Sequence, residues 1–177
     1  MSPRSNIPSS IDPTMPDIPS ADADGYGELQ TTLGLVAVRW RGQVVTRVEL
    51  APRAGEASST PFPDWIARQL DAYCLDPTFH FSLTTQPAGT PFQQRVWQLI
   101  AAIPAGGTRT YADLAAKLGS GPRAVGGACR ANPYPLLVPC HRVVAANGLG
   151  GFAGDTHGRL LAFKRRLLMH EGALAVA

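Results

Sequence analysis

The sequence predicts an α/β protein in two parts: a small antiparallel sheet with one packed helix, followed by a helical unit. Three observations predict this. Two β-branched runs, Leu33 to Trp40 and Val44 to Leu50, flank Arg41-Gly42-Gln43, a hairpin signal in which Gly42 can take a positive φ. Apolar residues recur at helical spacing after Thr90. Charge divides at the same place: residues 1–90 carry 6 Lys+Arg and 10 Asp+Glu, whereas residues 91–177 carry 10 and 3. The basic second half favours a polyanionic partner such as nucleic acid.

A chain of 177 residues that is 45% hydrophobic suits one ordinary soluble domain or two small ones, and no stretch reads as a membrane span. Its three cysteines share no short spacing, which argues against a disulfide framework or a zinc site and fits a reducing cytoplasm. Pro at 3, 8, 13, 16 and 19, among Ser and Asp, marks residues 1–27 as a disordered tail without a signal-peptide layout. The chain is divided accordingly into that tail, a scaffold over residues 28–86 and a second unit over residues 87–177.

Within the scaffold, Trp65, Ile66, Gln69, Leu70 and Tyr73 recur at helical spacing with Asp64 as the cap, and Phe79 to Leu83 alternates as a third strand. His80 and Cys74 read as packing residues. The second unit opens with Thr90-Pro91-Phe92-Gln93, a capping box with proline at the first position. Phe92, Val96, Leu99, Ile100 and Ile103 then form one stripe, ended by Pro104 and Gly106-Gly107. A second helix starts at Thr110 with Asp113 three residues on and stops at Gly119; a third runs from Pro122 to about Ala131, before Asn132-Pro133. Two short helices joined by Gly119-Ser120-Gly121 have the layout of a helix-turn-helix, and Gly126-Gly127 permit close backbone approach. The final helix carries Leu160, Leu161, Phe163, Leu167 and Leu168 and ends at Gly172.

Chemistry concentrates at Pro139-Cys140-His141-Arg142-Val143, which the apolar residues on both sides present as a short buried strand. Adjacent positive charge could pull the Cys140 thiol down in pKa, which makes it the nucleophile candidate. Cys129, among small residues of the third helix, reads as buried and inert. Successive side chains of an extended segment point apart, so a water bridge joins Cys140 to His141 more easily than a direct bond. Glu171 follows Leu167 and Leu168 at helical spacing, on the apolar side, in a last turn whose dipole disfavours negative charge. Two local rules broken at one position point to a functional carboxylate, the alternative being a solvated glutamate on a frayed helix end.

Asn132-Pro133, Leu136-Leu137-Val138-Pro139-Cys140-His141-Arg142-Val143-Val144, the preceding Arg123-Ala124-Val125-Gly126-Gly127 and the later His170-Glu171-Gly172 resemble the O6-alkylguanine-DNA alkyltransferases, from about Thr90 to Gly172. The resemblance implies a ribonuclease H-like amino-terminal part and a winged helix-turn-helix-like carboxy-terminal part. It implies a cytoplasmic, monomeric protein that flips O6-alkylguanine out of double-stranded DNA and takes the alkyl group irreversibly onto Cys140. In the implied relay, Glu171 orients His141, His141 deprotonates a water, and the water deprotonates Cys140. Asn132 would brace the turn and Tyr111 would assist the departing guanine. Arg123 would fill the gap in the duplex, or else make an ordinary phosphate contact, with Thr110, Ala124, Gly126 and Arg130 as further DNA contacts. Val143, Phe152, Ala153, Pro135 and Cys129 would form the base pocket. No cofactor is implied, and the family's zinc-binding form lacks its cysteine and histidine cluster here. The spacing from Gly154 to Glu171, through Asp155-Thr156-His157-Gly158-Arg159, is longer than the family pattern, and Tyr111 to Arg123 is shorter, with Pro122 in place of a small residue. The rival readings are a non-catalytic reader of alkylated DNA, which would not need Cys140, and a helix-turn-helix regulator with a redox thiol, which would need neither Glu171 nor Asn132.

Overall fold

A computed structural model describes residues 24–52 and 61–175 of the chain. Strands β1 (Asp24–Thr31), β2 (Gly34–Arg41) and β3 (Val44–Leu50) form an antiparallel meander in the order β1-β2-β3. Gly42, at φ 54°, turns the β2–β3 hairpin as its sequence predicts. Val36, Val38 and Trp40 of β2 alternate into the core, and a register shift between Arg39 and Trp40 bends the strand there.

Two expectations about the scaffold's strands change. Phe79 to Leu83 is not a strand; the chain there makes one isolated parallel bridge, Thr85 to Val45, held by Val45 N to Thr84 O at 2.8 Å and Gln86 N to Val45 O at 3.0 Å. The third strand is instead β1, so Asp24–Gly27 belong to the sheet and not to the tail; residues 1–23 of that predicted tail lie outside the described residues. The glycines that hide this strand from propensity are the ones its partner requires. A Cβ on Gly25 would fall 2.2 Å from the Trp40 ring, and one on Gly27 would fall 2.9 Å from Phe62.

Helix α1 (Asp64–Leu75) buries Ile66, Leu70 and Tyr73. Its cap is Pro63 rather than Asp64, which is the first helical residue and makes no capping bond. Helix α2 (Pro91–Ala101) carries the predicted capping box, Thr90 with Gln93. Helix α3 (Tyr111–Leu118) carries a second, Thr110 with Asp113, and closes on Gly119 at φ 59°. Helix α4 (Pro122–Arg130) follows, and Trp97 Nε1 of α2 holds it by donating to Ala128 O at 2.9 Å. After a tight turn comes a 3-10 turn, Cys140–Arg142, then β5 (Val143–Val144) and helix α5 (Arg159–His170).

Strand β4 (Arg109–Thr110) pairs in parallel with β5, Arg109 with Val143 and Thr110 with Val144. This two-residue ladder joins the start of α3 to the end of the cysteine segment, so Tyr111 and Cys140 are held in a fixed relation. The core runs without a break from Val36, Val38 and Val45 in the sheet, through Ile100 and Val125, to Phe163 and Leu167 in α5. Helix α5 is therefore packed on both halves: a Cβ on Gly34 would lie 2.7 Å from the Phe163 ring.

Candidate active site

Cys140 sits on a 3-10 turn, not on the strand expected, and β5 begins only at Val143. The turn follows a strained loop: Leu136 has φ 77°, a left-handed conformation that a branched side chain rarely adopts. Asn132 holds it there. Its Oδ1 accepts from Tyr134 N at 2.9 Å, and its Nδ2 donates to Val138 O at 2.9 Å and to Cys140 Sγ at 3.3 Å. One amide thus bonds to both the turn and the sulfur.

Glu171, at the carboxy-terminal cap of α5, has a fully buried side chain and collects donors from three directions. Its Oε1 accepts from His141 Nε2 at 2.8 Å, Arg142 Nη2 at 2.8 Å and Tyr73 OH at 2.7 Å, and its Oε2 accepts from Arg142 Nε at 2.9 Å. Burial alone would raise the Glu171 pKa, but the bonds from His141, Arg142 and Tyr73 outweigh it and leave the carboxyl at about 2. Burial pushes His141 below its ordinary value, more than Glu171 pulls it up, so the ring is neutral at pH 7. A carboxylate can only accept, so the neutral ring carries its proton on Nε2 and presents a lone pair at Nδ1, which is buried and has no partner among the described residues.

The expected low-pKa thiol is not what this site builds. Arg142 is committed to Glu171 and to Ile103 O, and burial raises the Cys140 thiol above its ordinary value against smaller opposing effects of Asn132 and Lys164. The cation that acts on the sulfur is Lys164. Its side chain is fully buried, and its Nζ donates to Val143 O at 2.6 Å, Leu149 O at 2.6 Å and Gly151 O at 3.2 Å. Burial lowers Lys164 to about 8, which keeps it mainly charged at pH 7. It ties the cysteine segment to the loop over residues 148–154, which carries Gly148, Gly150, Gly151 and Gly154, and the Tyr111 and Phe152 rings lie 5.9 and 6.0 Å from its nitrogen.

Two cavities meet at Cys140. The smaller, about 190 Å³, is walled by Tyr111, Gly126, Cys129, Phe152 and Gly154, among others. The larger, about 390 Å³, opens between β3 and the start of α5 and adds Asn132, Pro135 and Arg159. Cys129, Arg130, Cys140, Phe152 and Ala153 line both. Burial raises Tyr111 and Cys129 to about 12 each, so both stay protonated; the Tyr111 hydroxyl donates to Gly151 O at 3.0 Å. Of the expected pocket residues, Val143 lines neither cavity. It is fully buried, its N–H bonds back to Cys140 O and its carbonyl is taken by Lys164.

Arg123, Ala124 and Arg130 are exposed on α4, and Thr110 spends its hydroxyl on the α3 cap. Around Gly126 and Gly127 there is open space: among the described residues, a Cβ on either would meet nothing within 4 Å. The longer segment before α5 is organised by Asp155, whose carboxylate accepts from Gly158 N at 2.7 Å, Leu160 N at 3.0 Å and His157 N at 3.1 Å. It caps a helix whose own cap residue, Gly158, has no side chain to do so.

Tyr73 and Lys164 are the site residues that sequence reasoning missed; Arg142 was read as positive charge beside Cys140, whereas its guanidinium bonds to Glu171. Lys164 left a signal: Leu160, Phe163, Lys164, Leu167, Leu168 and Glu171 follow one another at helical spacing, so it stands on the apolar stripe as Glu171 does. Because the folded Glu171 carboxyl titrates near 2 and an unperturbed one near 4.5, its stabilisation is complete above the upper value and disappears as pH falls through the lower one. Glu171→Gln is expected to destabilise the protein at neutral pH in urea unfolding, with the deficit shrinking as pH falls from about 5 toward 2. A deficit of constant size would mean that Glu171 gains nothing from its donors.

Residues 91–173 match the family described as the DNA-binding domain of 6-O-methylguanine DNA methyltransferase. The constitutive methylated-DNA–protein-cysteine methyltransferase of Bacillus subtilis is 38% identical over 143 residues, which cover 73% of this chain and 87% of that relative. The crystal structure of Mycobacterium tuberculosis O6-methylguanine methyltransferase is 33% identical, with a TM-score of 0.71 over 88% of this chain and 96% of that one. Another Mycobacterium tuberculosis structure, solved in complex with DNA, is 34% identical with a TM-score of 0.68, covering 82% and 92% of the two chains. With its cysteine, histidine and carboxylate assembled on this fold, the chain belongs to the methylated-DNA–protein-cysteine methyltransferase family.

Proposed function

We propose that this protein repairs O6-alkylguanine in double-stranded DNA by transferring the alkyl group to its own Cys140, once per molecule. The observation that carries the proposal is a buried thiol at the meeting of two cavities, beside a neutral histidine whose Nδ1 bonds to no described residue and which has a carboxylate behind it. The resting thiol is protonated, so the site needs a base at the moment of reaction rather than a stored thiolate. His141 Nδ1 takes a proton from a bridging water, that water takes one from Cys140, and the anionic Glu171 stabilises the charged ring. The thiolate attacks the alkyl carbon. A carbon–sulfur bond forms as the carbon–oxygen bond breaks, and its electron pair leaves with the guanine.

Tyr111, held protonated by burial, is the donor to the departing base once its hydroxyl turns from Gly151 O. Lys164 supplies positive charge as the thiolate forms. The thioether then persists, because alkylated sulfur is a poor leaving group and Cys129, the other thiol lining the cavities, stays protonated.

A stacked guanine cannot bring its O6 to a sulfur inside the protein, so the nucleotide must be flipped, at a cost of a few kcal/mol. Exposed Arg123 on the first turn of α4 is the residue to fill the gap, and Arg130 and Ala124 contact the backbone. In this reading the α3–α4 pair belongs to a winged helix-turn-helix unit beginning near residue 87, and the preceding sheet and α1 are a ribonuclease H-like unit. Free Cys74, Cys129 and Cys140 support a cytoplasmic site of action. Among the described residues, no helix is long and apolar enough to cross a membrane.

The direct test is intact and peptide mass spectrometry after incubation with a duplex containing one O6-methylguanine. One methyl group per protein, on the Cys140 peptide, is expected. Lesion-selective binding without an adduct would instead support a damage reader. The glycines of α4 provide a second test, because no packing among the described residues requires them. Gly127→Ala is expected to raise stability by roughly 0.5–1 kcal/mol through helix propensity. It should also weaken duplex binding, since the Cβ intrudes where a backbone approaches. Higher stability with unchanged binding would show that this face does not meet DNA.

A further inference from the structure

Tyr73 of α1 reaches the active site from 98 residues away in sequence, and its hydroxyl donates to Glu171 Oε1 at 2.7 Å. It is fixed at three points. The hydroxyl binds the carboxylate, the Tyr73 carbonyl accepts from His170 Nε2 at 2.8 Å, and the ring packs against His170 and Phe81 at centroid distances of 5.3 and 5.4 Å. A phenylalanine would fill the same space and would not bury a hydroxyl, so packing alone does not explain the tyrosine.

The distribution of donors does. Oε1 carries three, from Tyr73, His141 and Arg142, whereas Oε2 carries one, from Arg142. A carboxylate oxygen offers about two lone-pair sites, so Tyr73 competes with His141 for the same atom. Each donor draws charge from Oε1 and weakens the pull that the oxygen exerts on the others. We infer that Tyr73 is a positioning residue for alkyl transfer: from the amino-terminal half it fixes the Glu171 carboxylate against His141 and restrains the basicity that Glu171 confers on the imidazole.

The inference rests on the reading that His141 is the base in transfer. The charged and titratable groups around the imidazole are Glu171 and Lys164 from α5, Arg142 and Cys140 from its own turn, and Tyr73 from α1; His170 and Cys74 lie beside Tyr73. Of these, Tyr73 is the one whose bond can be deleted without changing a charge. A restrained His141 remains neutral over the physiological range and is thus always available to accept a proton.

The test is Tyr73→Phe in the full chain, with three readouts: NMR titration of the His141 ring, the single-turnover transfer rate against pH on an O6-methylguanine duplex, and duplex affinity. The His141 midpoint is expected to rise by about half a unit or more, roughly threefold in proton affinity. The acid limb of the transfer profile should move up with it, while duplex affinity stays within about twofold. A midpoint and an acid limb that coincide with the parent's would overturn the inference and leave Tyr73 as packing. Replacement of Tyr73 by a fluorotyrosine, a stronger donor of the same shape, should move the midpoint down, and it carries the test if the phenylalanine variant does not fold. Absence of any Cys140 adduct in the parent would count against the proposed function, whereas the His141 titration reads Tyr73 independently of transfer.

Discussion

The buried Glu171 carboxylate is the constraint on which the rest of the site depends. An anion inside a protein is expensive unless its oxygens are met by donors, and here the donors come from separate parts of the chain. Tyr73 arrives from α1, His141 and Arg142 from the 3-10 turn, and the carboxylate itself from the end of α5. Arg142 extends the network by donating to Ile103 O, beyond the end of α2. Misplacement of any of these elements would leave a buried charge short of partners, so folding and assembly of the active site are one event.

A second tension sits at the sulfur. Burial disfavours the thiolate, yet the same burial excludes water and strengthens each dipole aimed at the reacting atoms. The site handles this by preorganisation. Asn132 fixes the sulfur while stabilising a loop in which Leu136 is strained, and Lys164 ties that segment to the loop forming the far wall. The β4–β5 ladder then holds Tyr111 opposite. Reactivity is produced when a substrate and a proton path are present, which protects a protein that can react only once from consumption by other electrophiles.

What could be read from sequence follows from what sequence encodes locally. The capping boxes at Thr90 and Thr110, the glycine stop at Gly119 and the apolar stripes of α2 and α5 are local, and each stands where its residues place it. Glu171 was legible because it violates the pattern around it. Lys164 violates the same stripe, but a lysine beside Arg165 and Arg166 reads as part of a solvated basic face. Tyr73 was read as core, correctly, since nothing local reveals the partner of its hydroxyl. Tertiary contact decided the remainder: β1 contains the glycines that Trp40 and Phe62 demand, and the alternation of Phe79 to Leu83 reflects aromatic packing of Phe79 and Phe81 rather than a ladder.

The account's central claim is that the resting protein holds Cys140 as a neutral thiol and makes the thiolate only through His141. The most direct measurement is the ionisation of Cys140 in the free protein, followed by thiolate ultraviolet absorbance against pH with Cys74 and Cys129 replaced by serine. The account predicts a midpoint above that of an ordinary cysteine, with no thiolate signal at neutral pH. A thiolate already present at neutral pH would contradict it, and would mean that Lys164 and the turn store the nucleophile in advance.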